Sequence, residues 1–329
     1  MRVFRSPAEV PSGFGPSVVT IGNFDGVHIG HRQIMRHVVA LAREKACIPT
    51  VLTFDPHPAR VLAPERAPRL LMTVDQKLRS MEREGIDAVF MIPFSFEFAG
   101  LTPEQFVEQV LAKTLKARLV LVGEDFRFGH NQAGKLDTLR ELGKRFGFTL
   151  EVVPGIARRG ERVSSTVIRK LVVAGSVPRA CRLLGTPFAI EGTVIKGQGI
   201  GSKQTVPTLN LAPENEVLPK TGVYVTRTRD LDAFVGTRTT DPRPVRSRVW
   251  NSITNVGYRP TFAGEGLTVE TFLLEPLKEQ HPNRIEVSFL FFIREERKFE
   301  TPDLLKAQIL RDVVVANRLH RRLTKHRVG

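Results

Sequence analysis

The sequence predicts an α/β domain built on a parallel sheet, followed by an antiparallel β-barrel domain with a C-terminal helix. Three observations carry this reading. Short apolar, β-rich runs alternate with helix-length periodic segments through the first half, the pattern of strands covered on both faces. After about Leu184 helical periodicity fades, and strand-like stretches carry Gly and Pro punctuation instead. Helical periodicity returns only near the C-terminus.

In chain order, "SVVTIG" (17–22) is a short strand ending in Gly. Residues 31–46 place Ile34, Val38 and Leu41 on one helical face. "IPTVLTF" (48–54) is the next strand. Thr73 and Gln76 form a capping-box pattern that opens a helix to about Glu84. "DAVFMIPF" (87–94) is a third strand. "TPEQ" (102–105) repeats the capping box with Pro103 at the first helical position. "RLVLVG" (118–123), a helix over roughly 134–146 and "FTLEVVPG" (148–155) complete the alternation.

The second half reads as strands at "FAIEGTVIKG", "TGVYVTRTR", "RVWNSITNVGY", "LTVETFLLE" and "RIEVSFLFFIR". Asp230–Arg248 is rich in Arg, Thr and Pro and reads as a long loop. Thr301 and Pro302 start a terminal helix with Leu304, Leu305, Ile309 and Val313 on one face. Many strands and one closing helix fit an antiparallel barrel or sandwich. The domains are placed at 1–182 and 183–329.

The 329 residues are 41% apolar, enough for two domains or one large one. A formal net charge of +15 favours anionic partners: nucleotides, nucleic acid or an acidic surface. Two cysteines, Cys47 and Cys181, exclude a disulfide framework of any size and fit a reducing cytosol. The start lacks an apolar leader region, and no apolar run approaches membrane length. The expectation is a cytoplasmic protein.

The chemistry begins at "GNFDGVHIGH" (22–31). His28-Ile29-Gly30-His31 resembles the signature of class I aminoacyl-tRNA synthetases and, as His-x-Gly-His, of a broader group of nucleotidyltransferases. It follows a strand and opens a helix, where free N–H groups and the dipole favour phosphate. Histidines three apart share a helical face, so both can reach the same phosphate oxygens as pyrophosphate leaves. Gly22, Gly26 and Gly30 allow close backbone approach. Gly22, Asn23 and Asp25 are assigned to ATP with this turn. "VSSTVIRK" (163–170) begins another helix. Ser164, Ser165 and Thr166 suit a triphosphate, and Arg169 adds a cation one turn later. "TFDPHP" (53–58) brings Asp55 and His57 to a strand end, where open α/β sheets bind ligands.

"GNFDGVHIGH", "TFDPHP", "VGEDFRFGH" (122–130) and "SSTVIR" (164–169) together resemble the bacterial bifunctional riboflavin kinase/FAD synthetase family, in that family's order and approximate spacing. A tRNA synthetase would carry a Lys-Met-Ser-Lys-Ser-type loop, which is not visible. The resemblance implies a Rossmann-like nucleotidyltransferase domain that moves AMP to FMN, with flavin contacts at Asp55, His57, Asp125 and Arg127. Phe126 and Phe128 flank Arg127 and suit either a ring border or core. Gln132 stands where the family commonly has Arg.

The C-terminal half resembles the family's riboflavin kinase module. "GTVIKGQGIGSKQTVPTLNL" (192–211) matches a Gly-rich segment leading into a Pro-Thr-x-Asn motif. Gly197, Gly199 and Gly201 permit a loop that wraps phosphates with backbone N–H groups. Thr208 and Asn210 offer hard oxygens for Mg²⁺ held with ATP phosphates. Glu270, in "VETFLLE" (269–275), is the family's general base, and Arg294 in "REERKF" is read as a flavin-side contact. Thr205-Val206 and Leu209 depart from the family pattern and bear on loop closure.

The resemblance thus implies ATP as co-substrate, Mg²⁺ as cofactor, riboflavin, FMN and FAD as ligands, and neither nucleic acid nor membrane as partner. A homo-oligomer is permitted. Two rivals remain at this stage. One is an adenylyltransferase for another phosphate acceptor, such as a pantetheine phosphate or nicotinate mononucleotide. The other is a basic RNA-binding barrel, encouraged by "NRLHRRLTKHRVG" but poor in the aromatic platforms such binders use.

Overall fold

The computed structural model describes residues 1–195, 208–232, 248–261, 264–277 and 281–325. The chain folds as two compact units, Met1–Ser165 and Thr166–Gly329.

The first unit is a six-stranded sheet paired parallel throughout. Its elements run β1 (Arg2–Phe4), β2 (Ser17–Ile21), α1 (Ile29–Glu44), β3 (Ile48–Phe54), α2 (Pro58–Leu62), α3 (Val74–Arg83) and β4 (Ala88–Ile92). They continue with α4 (Phe96–Ala99), α5 (Pro103–Phe106), β5 (Ala117–Gly123), α6 (Leu136–Phe146) and β6 (Thr149–Val153), then a hairpin, β7 (Ala157–Arg158) and β8 (Glu161–Arg162). The sheet order is β1-β4-β3-β2-β5-β6. Strands β2, β3 and β4 march one way and β5, β6 the other, so the order reverses beside β2.

Apolar side chains cover both faces of the sheet. On one, Met35, Val38 and Ala42 of α1 and Met81 of α3 pack on Val18, Val51, Val89 and Leu121. On the other, Phe106, Leu111 and Leu139 pack on Val19, Leu52, Phe90 and Val120. Helix α1 starts two residues before the sequence boundary at 31. Its buried stripe runs through Met35, Val38, Val39 and Ala42, while Ile34 and Leu41 stay partly exposed. Both capping boxes form, with Thr73 and Gln76 exchanging bonds at the start of α3 and Thr102 and Gln105 at the start of α5.

The second unit begins with α7, which runs from Ser165 to Val173, and α8 (Val177–Leu184). Six strands follow: β9 (Phe188–Ile195), β10 (Thr208–Pro213), β11 (Gly222–Asp230), β12 (Val249–Thr261), β13 (Gly264–Leu273) and β14 (Arg284–Arg294). They close into an antiparallel barrel in the order β10-β13-β12-β11-β14-β9, which resolves the barrel-or-sandwich alternative. Helix α8 packs on β14 and β9. Most of the segment read as a long loop, 233–247, lies outside the described residues.

Inside the barrel, Tyr224 and Phe289 meet edge to face. Beside them runs a chain of buried hydroxyls. Thr226 Oγ1 lies 2.8 Å from both Ser252 and Thr254, Thr228 meets Ser252 at 2.9 Å, and Thr254 meets Thr271 at 3.0 Å. Ser252, Thr226 and Thr254 each have two hydroxyl partners, so each can donate to one and accept from the other.

The terminal helix, α9 (Pro302–Lys325), buries a different stripe from the one its leucines mark. Leu304 is 50% and Leu305 40% exposed, while Gln308, Asp312, Ala316 and His320 are buried. These four recur every four residues, a stripe of one helix face. Polar side chains occupy it because β14 and the following segment supply partners. Arg294 grips Asp312, Arg297 donates to Gln308, and Gln308 Nε2 donates to Asp312 at 2.8 Å.

Candidate active sites

In the first unit the loops leaving β2, β3 and β5 meet at the reversal point, where open α/β sheets leave a crevice. His28 is the N-cap of α1, and its Nδ1 accepts the backbone N–H of His31 at 3.3 Å. That bond fixes the neutral tautomer: with Nδ1 accepting, the proton resides on Nε2, which is left as a donor. The two imidazoles stack, with centroids 3.6 Å apart and planes 18° apart. Phe24 meets His31 edge-on at 5.1 Å. Burial lowers the pKa of His28 to about 4 and pushes that of His31 well down, with the neighbouring His28 and Arg32 adding to the latter. Both rings are therefore neutral near pH 7. His31 Nδ1 is buried without a hydrogen-bond partner among the described residues.

The other residues read from sequence are placed as follows. In the β2 turn, Gly26 takes φ 82° and Gly22 lies under the Phe24 ring. Asn23 is exposed, and its carbonyl accepts from Thr53 Oγ1. Asp25 is buried, and its carboxylate accepts the N–H of Leu71 at 2.9 Å. It thus fastens the segment before α3 to the turn, a use its assignment to ATP did not anticipate. Ser165 Oγ donates to the Asp25 carbonyl at 2.8 Å, which joins the second serine motif to the histidine motif. Ser164 is half-buried beside it. Thr166 is exposed and Arg169 half-buried within α7.

Asp55 and His57 are half-buried, and His57 caps α2 through Nδ1, which accepts from Ala59 N at 3.2 Å. Asp125 and Arg127 are exposed on the loop after β5, where Asp125 pairs with Arg162. Phe126 and Phe128 stack with centroids 5.6 Å apart. Phe128 belongs to the core against Phe106, while Phe126 is partly buried. Sequence reasoning missed Lys77, whose Nζ lies 3.4 Å from Thr53 Oγ1 and from the Phe54 carbonyl. The signal was present: Val74, Lys77, Leu78 and Met81 are spaced as one helix face, so a lysine sits inside an apolar stripe.

In the barrel, β13 lies between β10 and β12, and Glu270 pairs in register with Asn210 on one side and Asn255 on the other. Alternation along a strand puts Thr208 on the same face as Asn210, opposite the buried Leu209 and Leu211. Glu270 is 7% exposed. Asn255 reaches the Glu296 carboxylate at 3.4 Å, and the sequence reading had missed Asn255. Gly197, Gly199, Gly201 and Thr205 lie outside the described residues. Arg294, read as a flavin contact, has all three nitrogens engaged: Nε and one terminal nitrogen on Asp312, and the other on the Glu295 carbonyl. In this structure it clamps α9.

A stacked histidine pair on a parallel-sheet crevice defines the first unit as a nucleotidyltransferase of the His-x-Gly-His type. The closed barrel carries Thr208, Asn210 and Glu270 on one face. A family model described as FAD synthetase matches residues 11–167, and one described as riboflavin kinase matches residues 184–320. The bifunctional riboflavin kinase/FMN adenylyltransferase of Escherichia coli K12 is 34% identical over 299 residues, covering 91% of each chain. That of Pseudomonas fluorescens is 35% identical, covering 92% of each. A solved structure named as a macrolide-efflux protein from Streptococcus pneumoniae aligns with TM-score 0.81 and 26% identity over 96% of this chain and 98% of that one. The chain belongs to the bifunctional riboflavin kinase/FMN adenylyltransferase family, so its first unit makes FAD from FMN and ATP and its barrel makes FMN from riboflavin and ATP.

Proposed function

We propose the following residue roles for the two reactions. In the first, a phosphate oxygen of FMN attacks the α-phosphorus of ATP, the bond to the β-phosphate breaks, and pyrophosphate leaves. The His28 Nε2–H donates to the charge that develops on the phosphates, with His31 beside it at the N-terminus of α1. Gly22 and Asn23, with Ser164, Ser165, Thr166 and Arg169, hold the triphosphate, and Asp25 holds the turn that presents them. Asp55, His57, Asp125 and Arg127 face the flavin side. The observation that carries this reading is the neutral, stacked histidine pair tied through Asp25 to Ser165.

In the second reaction the riboflavin 5′-hydroxyl attacks the γ-phosphorus of ATP and ADP leaves. Glu270 accepts the hydroxyl proton. Thr208, Asn210 and Glu270 present a hydroxyl, an amide oxygen and a carboxylate on adjacent strands, a hard-oxygen set that fits Mg²⁺. Mg²⁺ held there with ATP would neutralise phosphate charge. Gly197, Gly199 and Gly201 are assigned to the same phosphates. The functional boundary is placed at 182/183, so that the barrel module carries phosphotransfer by itself.

The setting proposed is the cytoplasm, with small molecules as the partners, no nucleic acid and no membrane, and self-association allowed. Both cysteines are free, and among the described residues no helix is long and apolar enough to cross a membrane.

The barrel assignment is tested by Glu270→Gln, which keeps shape and removes the proton acceptor. Riboflavin phosphorylation is expected to fall about 100-fold or more, with AMP transfer to FMN unchanged. A near-normal kinase rate would remove Glu270 from the base role.

A further inference from the structure

Helix α3 carries Lys77 to a small recess of about 30 Å³ at the ends of β2 and β3, whose polar lining is Asn23, Asp25, Asp55 and His57 and whose apolar lining includes Phe54, Leu70 and Met72. An ammonium has three donors. Those of Lys77 meet only two neutral oxygens, Thr53 Oγ1 and the Phe54 carbonyl, both at a long 3.4 Å. Lys77 forms no ion pair among the described residues. The nearby carboxylates have other contacts: Asp25 accepts the Leu71 N–H, and Asp55 lies 3.9 Å from Arg5. Burial pushes the Lys77 pKa down, and the fields of Asp55 and Asp25 only oppose that fall. A half-buried cation at the wall of a recess with mixed lining, with only two long bonds among the described residues, is under-satisfied as it stands.

We propose that Lys77 anchors the phosphate monoester of the acceptor, FMN, and aims it at the α-phosphate of ATP. The inference rests on the reading that the first unit transfers AMP to FMN. Position selects the acceptor phosphate over the triphosphate. The triphosphate reading occupies the N-terminus of α1, with the histidine pair. The recess lies on the β3 side, beside Asp55 and His57, which face the flavin. It shares the Asn23–Asp25 turn with the His28 cap, so an anion held there adjoins the phosphate held by α1. In-line transfer requires that adjacency, because the attacking oxygen must be positioned against the α-phosphorus before the pyrophosphate departs. A monoester oxygen would replace the two long contacts of Lys77 with a charge-assisted bond.

The rival role for Lys77 is a purely structural one, balancing Asp25 and Asp55. Lys77→Met in the full chain separates the two. The probes are FMN as substrate and lumiflavin, the flavin ring without ribityl chain or phosphate, as competitive inhibitor of AMP transfer. Loss of a charged hydrogen bond predicts a rise of about 10- to 100-fold in KM for FMN, with KM for ATP and Ki for lumiflavin unchanged. An unchanged KM for ATP also reports that the unit is folded. If Lys77→Met does not fold, Lys77→Gln, which keeps a donor towards Thr53 and Phe54 but not the charge, carries the same comparison. An equal rise in the lumiflavin Ki, a rise confined to the ATP KM, or no change in the FMN KM would each overturn the proposal. Failure of the unaltered protein to form FAD at all would remove the underlying reading, and is told apart by needing no variant.

Discussion

A Cβ at Gly30 would stand 3.2 Å from Cε1 and Nδ1 of His28. The glycine between the histidines therefore leaves the space in which the first ring lies flat and caps the helix. The same burial that holds the ring also keeps it neutral, and this has a consequence for stability. In the unfolded chain His28 titrates near 6.5; folded, it titrates near 4. As pH falls from 6.5 towards 4, the unfolded chain takes up a proton that the folded chain does not, so stability is lost through that window. Above 6.5 this group contributes no pH dependence. At pH 5 the loss amounts to about 2 kcal/mol. His28→Asn keeps an N-cap acceptor and removes the titration. Denaturant unfolding of the first unit at pH 7.5 and pH 5 is expected to show a drop about 2 kcal/mol smaller in the variant. Equal drops would mean that the folded histidine is charged like a free one.

Among the elements, those closed by local chemistry were legible. Thr73 with Gln76, and Thr102 with Gln105, state their helix starts in four residues, and the structure forms both boxes. The β2 turn was legible because glycines and paired histidines leave few alternatives. Helix α9 was not. Its leucines suggested a buried face, but the partners that decide the matter, Arg294 and Arg297, come from a distant strand end and turn Gln308 and Asp312 inward. Strand β1 is three residues long and carries no periodicity to read. The barrel's hydroxyl chain was also invisible, since Thr and Ser in strands read as solvent-facing until closure buries them. Thr226 is its midpoint, bonded to Ser252 on one side and Thr254 on the other. Thr226→Val is expected to destabilise the second unit by about 1–2 kcal/mol, read as a lower denaturation midpoint with unchanged slope. A neutral substitution would show that the chain contributes nothing beyond volume.

On the scale of the whole molecule, the histidine pair and the barrel residues Thr208, Asn210 and Glu270 lie on different compact units. The histidine pair and its serine partner fall within Met1–Ser165, and Thr208, Asn210 and Glu270 within Thr166–Gly329. The histidine and serine motifs precede the Thr208, Asn210 and Glu270 motifs along the sequence. Asn255 was not legible, because it meets Glu270 and Glu296 only when strands distant in sequence pair, whereas Lys77 was marked as a lysine inside an apolar helix stripe. The central claim is that each site performs its own half of the route from riboflavin to FAD. The most direct test is a chromatographic time course of the full chain with riboflavin, ATP and Mg²⁺, run on the unaltered protein and on His28→Ala/His31→Ala. The unaltered protein is expected to pass through FMN to FAD. The double variant is expected to accumulate FMN at the unaltered rate and stop there. FAD formation by the folded double variant, or loss of FMN formation along with FAD, would contradict the account.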